Sequence, residues 1–156
     1  LDLAAQKVAT SPDLKTMSRD DWDARPQKLM KDWGHDLVHS FTDFDEAHTV
    51  MTGASDALNN APAILFVTIP KQTPDWAILD AGAFMQSFLL AATAKGLGSI
   101  PTYNSVRYPQ VVRQALGIPE AERLLVGVEL GYESPAKVNA FRAQRPDLSD
   151  VLKISE

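Results

Sequence analysis

The chain has 156 residues, of which 45% are apolar and 22% charged, with a formal net charge of -5 and no cysteine. This size and composition predict one globular domain with its own core, while the acidic balance disfavours nucleic acid or an anionic membrane as a partner. The lack of cysteine excludes disulfides, thiolate metal sites and a cysteine nucleophile.

The ends and the apolar runs of the chain bear on its location. No signal peptide is visible, and purely apolar runs such as AILFV are shorter than a bilayer span. We therefore expect a cytoplasmic protein. The chain begins at Leu1, not Met, in residues that have the pattern of the middle of a helix, which predicts that a longer parent chain exists.

The first 60 residues are predicted to form a polar, helical region. In MSRDDWDARPQKLMKDWG, Ser18 is placed as an N-cap, with Asp20 and Asp21 in the first helical turn. Pro26 either kinks this helix or marks the start of a second one. The segment DEAHTVMTGASDALNN predicts another helix, which would end at residues 59–60.

A strand and a long helix are predicted next. APAILFVTIP has the length and flanks of a buried strand. KQTPDW then predicts a turn, with Thr73 as N-cap and Pro74 at the first helical position. WAILDAGAFMQSFLLAATAKG is apolar nearly all round, which indicates a central, buried helix that stops at Gly96.

The last third repeats this pattern on a shorter scale. YPQVVRQALG predicts a helix from Pro109 to Gly117, and RLLVGVELGY predicts a second buried strand. The tail, ESPAKVNAFRAQRPDLSDVLKISE, is polar and interrupted by prolines, as expected for an extended arm. Helices followed by alternating strands and helices favour a layered α+β or α/β domain.

An ordered series of short motifs begins at Asp75. It consists of an acidic helix start, a small-residue helix ending in Gly-Leu-Gly, a proline-bearing turn, a short helix ending in Leu-Gly-Ile-Pro, a strand ending in Gly-Tyr, and VNAFRAQRPDL. Each motif alone is common. In this order they resemble the FMN-dependent nitroreductase family. The resemblance implies an α+β, three-layer fold, with a central, mostly antiparallel sheet flanked by helices, in an intertwined homodimer.

The same resemblance implies one domain over residues 1–156. Residues 1–60 would be its variable helical region, 61–132 its core strands and central helix, and 133–156 its C-terminal arm. The family's Arg-x-Ser-x-Arg and Pro-Ser-x-x-Asn-x-Gln-Pro-Trp segments, which supply FMN contacts, do not occur in this sequence. We expect that the N-terminal part was removed; the alternative is a shortened relative that does not hold flavin.

GLGSIPTYN is the first implied cofactor-binding stretch. By the resemblance, Ile100, Pro101 and Thr102 would lie against the isoalloxazine ring, and Tyr103 and Asn104 match positions whose main chain faces its N5. The family often has Glu-Gly at those two positions. A flavin carries the hydride chemistry itself, so its wall needs close backbone approach and not acids or bases. Without the resemblance, the stretch would be explained by Gly96 as a helix C-cap and Pro101 as an ordinary loop proline.

AFRAQRPDL is the second implied cofactor-binding stretch. Arg142 and Arg145 are three residues apart and would share a face on one helical turn. Guanidinium groups match phosphate oxygens bidentately. By the resemblance, this arm holds the FMN phosphate, with Arg145 favoured over Arg142. The alternative is two solvated surface arginines.

Other candidates are weaker. His35 and His39 have the i, i+4 spacing of a zinc pair, but no HExxH pattern is present and the segment follows the helix-breaking Gly34. Asp80, in the central helix, is expected to cap or pair locally. We assign no metal ligand and no catalytic side chain.

The resemblance implies an FMN-dependent oxidoreductase. Hydride would pass from NAD(P)H through the flavin to a small-molecule electron acceptor such as a nitroaromatic or a quinone, in a ping-pong reaction of a homodimer. The alternative is a truncated, non-catalytic flavin-binding or dimerisation module of the same fold. We expect neither nucleic acid nor a membrane as partner, and the sequence does not distinguish NADH from NADPH.

Overall fold

The computed structural model describes residues 6–155 of the chain. They divide into two compact units, one comprising residues up to 16 and 51–133, the other residues 17–50 and 134–155. The predicted mid-helix start of the chain lies outside the described residues. Within them the α-helices and β-strands are α1 (Ala24–Val38), α2 (Phe44–Asp56), β1 (Ala63–Pro70), α3 (Trp76–Ala94), β2 (Gly98–Thr102), α4 (Pro109–Leu116), β3 (Glu122–Gly131) and α5 (Leu148–Val151).

Two helical segments form at the start of the polar region, so that Pro26 marks the start of a second helix and does not kink a single one. A short 3-10 turn (Arg19–Asp21) is capped by Ser18, whose hydroxyl accepts a hydrogen bond from the Asp20 N–H. α1 is a second helix, with Pro26 in its first turn, where a missing N–H costs no helical hydrogen bond. Gly34, expected to break this segment, lies inside α1.

The C-terminal tail has little regular structure, as predicted. It contains a 3-10 turn at Lys137–Ala140 and the single turn of α5, and the residues between them are irregular. Within the same unit, the rings of Trp33 and Phe141 meet edge to face, with centroids 6.3 Å apart. Arg142 and Arg145 lie in the irregular stretch, so the shared helical face expected for them does not form.

The sheet of the other unit is antiparallel, with strand order β1-β3-β2. β3 is its central strand, and Leu124 and Val128 are its most buried members. The predicted strands correspond to β1 and β3, although β1 is only partly buried. β2 was not predicted: the stretch interpreted as a turn pairs with β3 from Gly98 opposite Gly131 to Thr102 opposite Gly127.

Glycines end two helices as predicted. Gly96 follows α3 with φ +74°, and Gly117 caps α4 with φ +66°, both in the left-handed region that favours glycine. The N-cap prediction for α3 was wrong. Asp75 holds that position, and the Thr73 hydroxyl instead donates to the Pro70 carbonyl at 2.8 Å.

α3 has the predicted length but not the predicted burial, because only Ala92 is fully buried. Among the described residues it is a helix long and apolar enough to cross a bilayer by length and composition alone, and 6% of that window is buried. The sequence analysis did not identify this helix as long and apolar enough for a bilayer, because it considered only runs without any polar residue, such as AILFV. Asp80, expected inside a buried helix, is exposed.

Candidate functional site

An apolar cavity of about 400 Å³ lies in the unit that contains the sheet. Pro101, Thr102 and Tyr103 form part of its wall, together with Val67 of β1 and Met85 of α3. Its volume is in the range of small-molecule pockets. The lining residues carry no carboxylate, amine, guanidinium or imidazole, so the cavity can bind and shield a flat apolar group but offers no general acid or base apart from the Tyr103 phenol.

The other two predicted wall residues do not line this cavity. Ile100 is half exposed on β2, and Asn104 begins a 3-10 turn (Asn104–Val106) directly after the strand. The Asn104 amide donates to the Ser55 hydroxyl in the last turn of α2. The five predicted residues are therefore consecutive members of one strand end and turn, with side chains facing different surroundings.

A polar cluster supports this strand end from within the unit. Glu129 of β3 is 3% exposed. Its Oε1 accepts a hydrogen bond from the Thr102 hydroxyl at 2.8 Å, and its Oε2 accepts one from the Asn59 amide at 2.6 Å. The Ser105 hydroxyl donates to the Thr102 carbonyl at 2.8 Å. Thr102 is thus held through both its side chain and its main chain.

An anchored segment, residues 12–16, contributes Pro12, Leu14 and Thr16 to the cavity wall. Asp13 fixes it: its carboxylate lies 2.6 Å from Nη2 of Arg113 and accepts the Leu124 N–H at 2.7 Å. Burial alone would raise the pKa of Asp13, but the Leu124 hydrogen bond and the Arg113 guanidinium outweigh it and hold that pKa below its usual range.

The two arginines of the tail belong to the other unit and are both exposed. Nη1 of Arg142 donates to the carbonyls of Asn139, at 2.7 Å, and Phe141, at 2.9 Å. The Arg145 guanidinium has no hydrogen bond or ion pair within residues 6–155. Of the two side chains, Arg145 therefore keeps its full donor set for a ligand.

The histidine pair lies in that same unit. His35 and His39 meet edge to face with ring centroids 4.9 Å apart. In the part of the chain that the structure describes, no group of three or more His, Asp or Glu side chains is arranged to hold a metal ion.

Glu129, Asn59 and Ser105 were missed by sequence reasoning. One signal was available for Glu129, the single charged residue within the apolar run LLVGVELG, since a charge in a strand buried on both faces needs a partner. No local pattern indicates its partners, because Asn59 and Thr102 are 70 and 27 residues away.

The model of the nitroreductase family matches residues 4–132 of this chain. The chain is 26% identical over 131 residues to a 4-nitrobenzoate reductase of Pseudomonas putida, a match that covers 81% of this chain and 57% of that protein. It is 34% identical over 96 residues to the nitroreductase NfnB of Mycolicibacterium smegmatis, covering 61% of this chain and 41% of that protein.

The fold is also that of a solved relative. The structure superposes on the FMN-dependent nitroreductase NfnB from Mycobacterium smegmatis in complex with NADPH with a TM-score of 0.84 at 26% identity, covering 99% of this chain and 70% of that one. The chain thus spans about half the length of the two relatives above, and more of the solved structure. The matched region includes the whole sheet, α3, α4 and the cavity wall, and the chain belongs to the nitroreductase family.

Proposed function

We propose that this chain is part of an FMN-dependent oxidoreductase that passes hydride from NAD(P)H to an electron-poor small molecule, such as a nitroaromatic or a quinone. The observation that carries this proposal is the cavity wall at Pro101, Thr102 and Tyr103, which is apolar and without charged groups. Such a wall suits a cofactor that brings its own chemistry. The similarity to NfnB, whose structure was solved in complex with NADPH, supports a nicotinamide nucleotide as the hydride donor. The similarity to a 4-nitrobenzoate reductase supports a nitroaromatic compound as the acceptor.

The chain's residues would bind and orient the cofactor. FMN, when bound, supplies the site that accepts and releases hydride. The β2 end offers main-chain groups at Tyr103 and Asn104, and within the described sheet β2 is an edge strand whose outer side is unpaired. The apolar wall excludes water, which strengthens polar contacts at the cofactor's edge. Arg145 would bind the phosphate.

The exposed face of α3 supports the proposal of a homodimer. Trp76, Leu79 and Leu90 are 72%, 60% and 63% exposed, and at about 100° per residue they lie within about 60° of one another around the helix. An exposed apolar patch of this kind marks an interaction surface. A second copy of the chain is the proposed occupant, because a two-fold interface buries the same patch on both copies.

An absorbance spectrum of the purified chain, incubated with FMN and desalted, tests the proposed activity. We expect retained flavin bands that bleach on anaerobic addition of NADPH or NADH and return on addition of 4-nitrobenzoate. Retained bands that neither nucleotide bleaches would favour the non-catalytic flavin-binding module. A colourless protein that takes up no FMN would contradict the proposal for this chain.

Arg145→Ala tests the phosphate assignment. Loss of the guanidinium should weaken FMN binding by about 10- to 150-fold, since a charge-assisted hydrogen bond contributes about 1.5–3 kcal/mol. Lys153→Ala, which removes an exposed cation from the same tail, is the matched control and should bind FMN normally. Equal FMN loads in both variants would show that Arg145 does not hold the phosphate.

A further inference from the structure

Glu129 is a buried carboxylate that the proposed hydride chemistry does not use. It is the only acidic side chain among the described residues that is fully buried, and it sits in β3, the central strand. Burying a charge is costly unless hydrogen bonds compensate. Both of its oxygens are engaged, one by Asn59 and one by Thr102. These two partners come from separate segments, which indicates that the carboxylate connects them.

The first segment is a strained turn between α2 and β1. Leu58, Asn59 and Asn60 follow one another with φ angles of 50°, 52° and 51°. This left-handed conformation is unfavourable for leucine, is tolerated better by asparagine, and occurs mostly at single positions. Three in a row persist only where the surroundings hold them. The Asn59 amide, the middle member, donates to Glu129 at 2.6 Å.

The second segment is the strand end that carries Tyr103 and Asn104. The Thr102 hydroxyl has one proton, and its contact with Glu129, at 2.8 Å, is shorter than its contact with the Ser105 hydroxyl, at 3.0 Å. A Cβ added at Gly127, the β3 residue opposite Thr102, would collide with Ser105 Oγ and lie 2.8 Å from Ser105 Cβ. Glycine is therefore required for the turn to pack this closely.

Two more contacts join the same parts of the unit. The Asn104 amide donates to Ser55, and Nη2 of Arg107 lies 3.3 Å from Oδ1 of Asp56. These two contacts attach the end of α2 to the connection between β2 and α4. Glu129, from the buried side, attaches the turn at residues 58–60 to the end of β2.

We propose that Glu129 is a positioning residue. Its carboxylate couples the strained turn at residues 58–60 to the strand end at 102–105, and so sets the shape of the proposed flavin wall. This inference rests on the proposed function. It assigns Glu129 no contact with cofactor or substrate: the residue acts through Asn59 and Thr102.

The test reverses the polarity of one hydrogen bond. Asn59→Asp places a second carboxylate against Glu129 and should separate the two segments. The double variant with Asn59→Asp and Glu129→Gln restores a donor and an acceptor, now in the opposite order, and should rescue the contact. Asn60→Asp is the matched control, because it adds the same charge to the same turn at a side chain that has no hydrogen bond to Glu129.

Two readouts separate the coupling from the flavin role. Hydrogen exchange by mass spectrometry follows residues 57–61 and 101–106 without any flavin, and flavin fluorescence quenching gives the dissociation constant for FMN. For Asn59→Asp we expect exchange in both segments to become faster by about tenfold or more and FMN binding to become weaker by about tenfold or more, because one charge-assisted hydrogen bond is lost. The double variant should recover both values, and Asn60→Asp should change neither.

The outcomes that would overturn the inference are distinct. Faster exchange confined to residues 57–61, or no rescue in the double variant, would refute the coupling. Faster exchange in both segments with unchanged FMN affinity would refute the positioning role. If the unmodified chain binds no FMN, the proposed function fails, and the exchange data still decide the coupling. If Asn59→Asp does not fold, Asn59→Ala, which removes the amide without adding a charge, gives the same two readouts, with Asn60→Ala as its control.

Discussion

Replacing Asp13 by asparagine should destabilise the unit that contains the sheet. The Asp13 carboxylate is 16% exposed and pairs with the Arg113 guanidinium, which is 4% exposed. The same carboxylate oxygen, Oδ2, accepts from the Leu124 N–H and from Nη2 of Arg113, so an asparagine keeps both hydrogen bonds through its amide oxygen but brings no negative charge to the guanidinium. Among the residues that the structure describes, Nε and Nη1 of Arg113 already have no hydrogen-bond partner. The variant therefore leaves a buried cation with even less compensation.

The size of the effect follows from what remains around Arg113. Removing one partner of a buried ion pair costs about 3–5 kcal/mol, because the other charge stays buried. Two groups reduce this cost: the Glu122 carbonyl accepts from Nη2, and the mostly exposed Glu120 carboxylate lies 3.7 Å from Nε. We therefore expect a loss of about 2–3 kcal/mol in the free energy of unfolding.

Urea denaturation followed by circular dichroism measures this loss. Asp75→Asn is the control, since Asp75 is exposed and makes no side-chain capping bond, and it should stay within about 0.5 kcal/mol of the parent chain. Combining Asp13→Asn with Arg113→Leu supplies the decisive comparison. Without the buried cation, Asp13→Asn should cost much less. An equal cost in both backgrounds would refute the ion-pair argument.

The same pair predicts how stability depends on pH. Because the pKa of folded Asp13 is lowered, the unfolded chain takes up this proton first as pH falls. The contribution is therefore present above the unfolded value of about 3.9 and is lost as pH falls through the folded value below it. The stability gap between the parent chain and Asp13→Asn should be constant from pH 7 to 5 and shrink below about pH 4. A gap that is unchanged at pH 3 would contradict this assignment.

Three further substitutions test other parts of the fold. Leu79→Asp should convert a dimer to a monomer in sedimentation velocity, whereas Leu148→Asp, at another exposed leucine, should not; dimers in both would show that α3 is not the interface. Gly127→Ala should cost about 1–3 kcal/mol in urea denaturation because the new methyl collides with Ser105. Gly117→Ala has free space but φ +66°, and should cost about 1 kcal/mol in the same assay through backbone strain alone.

Local chemistry was enough to predict several elements. Pro109 and Gly117 bound α4 as predicted, because a proline suits the first helical turn and a glycine suits the left-handed end. The apolar runs at β1 and β3 have the short length of strands, and both were assigned. These signals arise within a few residues of the chain, so no tertiary information was needed to read them.

β2 and the cluster around Glu129 depend on distant partners. In GLGSIPTYN, glycine and proline both disfavour a strand interior, and the strand forms because β3 supplies the hydrogen bonds along one side. Pro101 is accommodated because β2 lies at the edge of the described sheet. Likewise, the charge of Glu129 indicates a need for partners but not that Asn59 and Thr102 meet it.

The burial of α3 could not be predicted because its apolar side chains serve two surfaces. Ile78 and Met85 point to one side and line the cavity, while Leu79 and Leu90 lie on the other side and are exposed. A helix that is apolar all round is predicted to be buried on every side. The pattern does not indicate whether the residues that bury each side come from the same chain or from a second one. Here the chain covers the cavity side. Exposure of the remaining apolar face to water is unfavourable. Burial of that face against the proposed second copy explains why apolar residues occur around the whole helix.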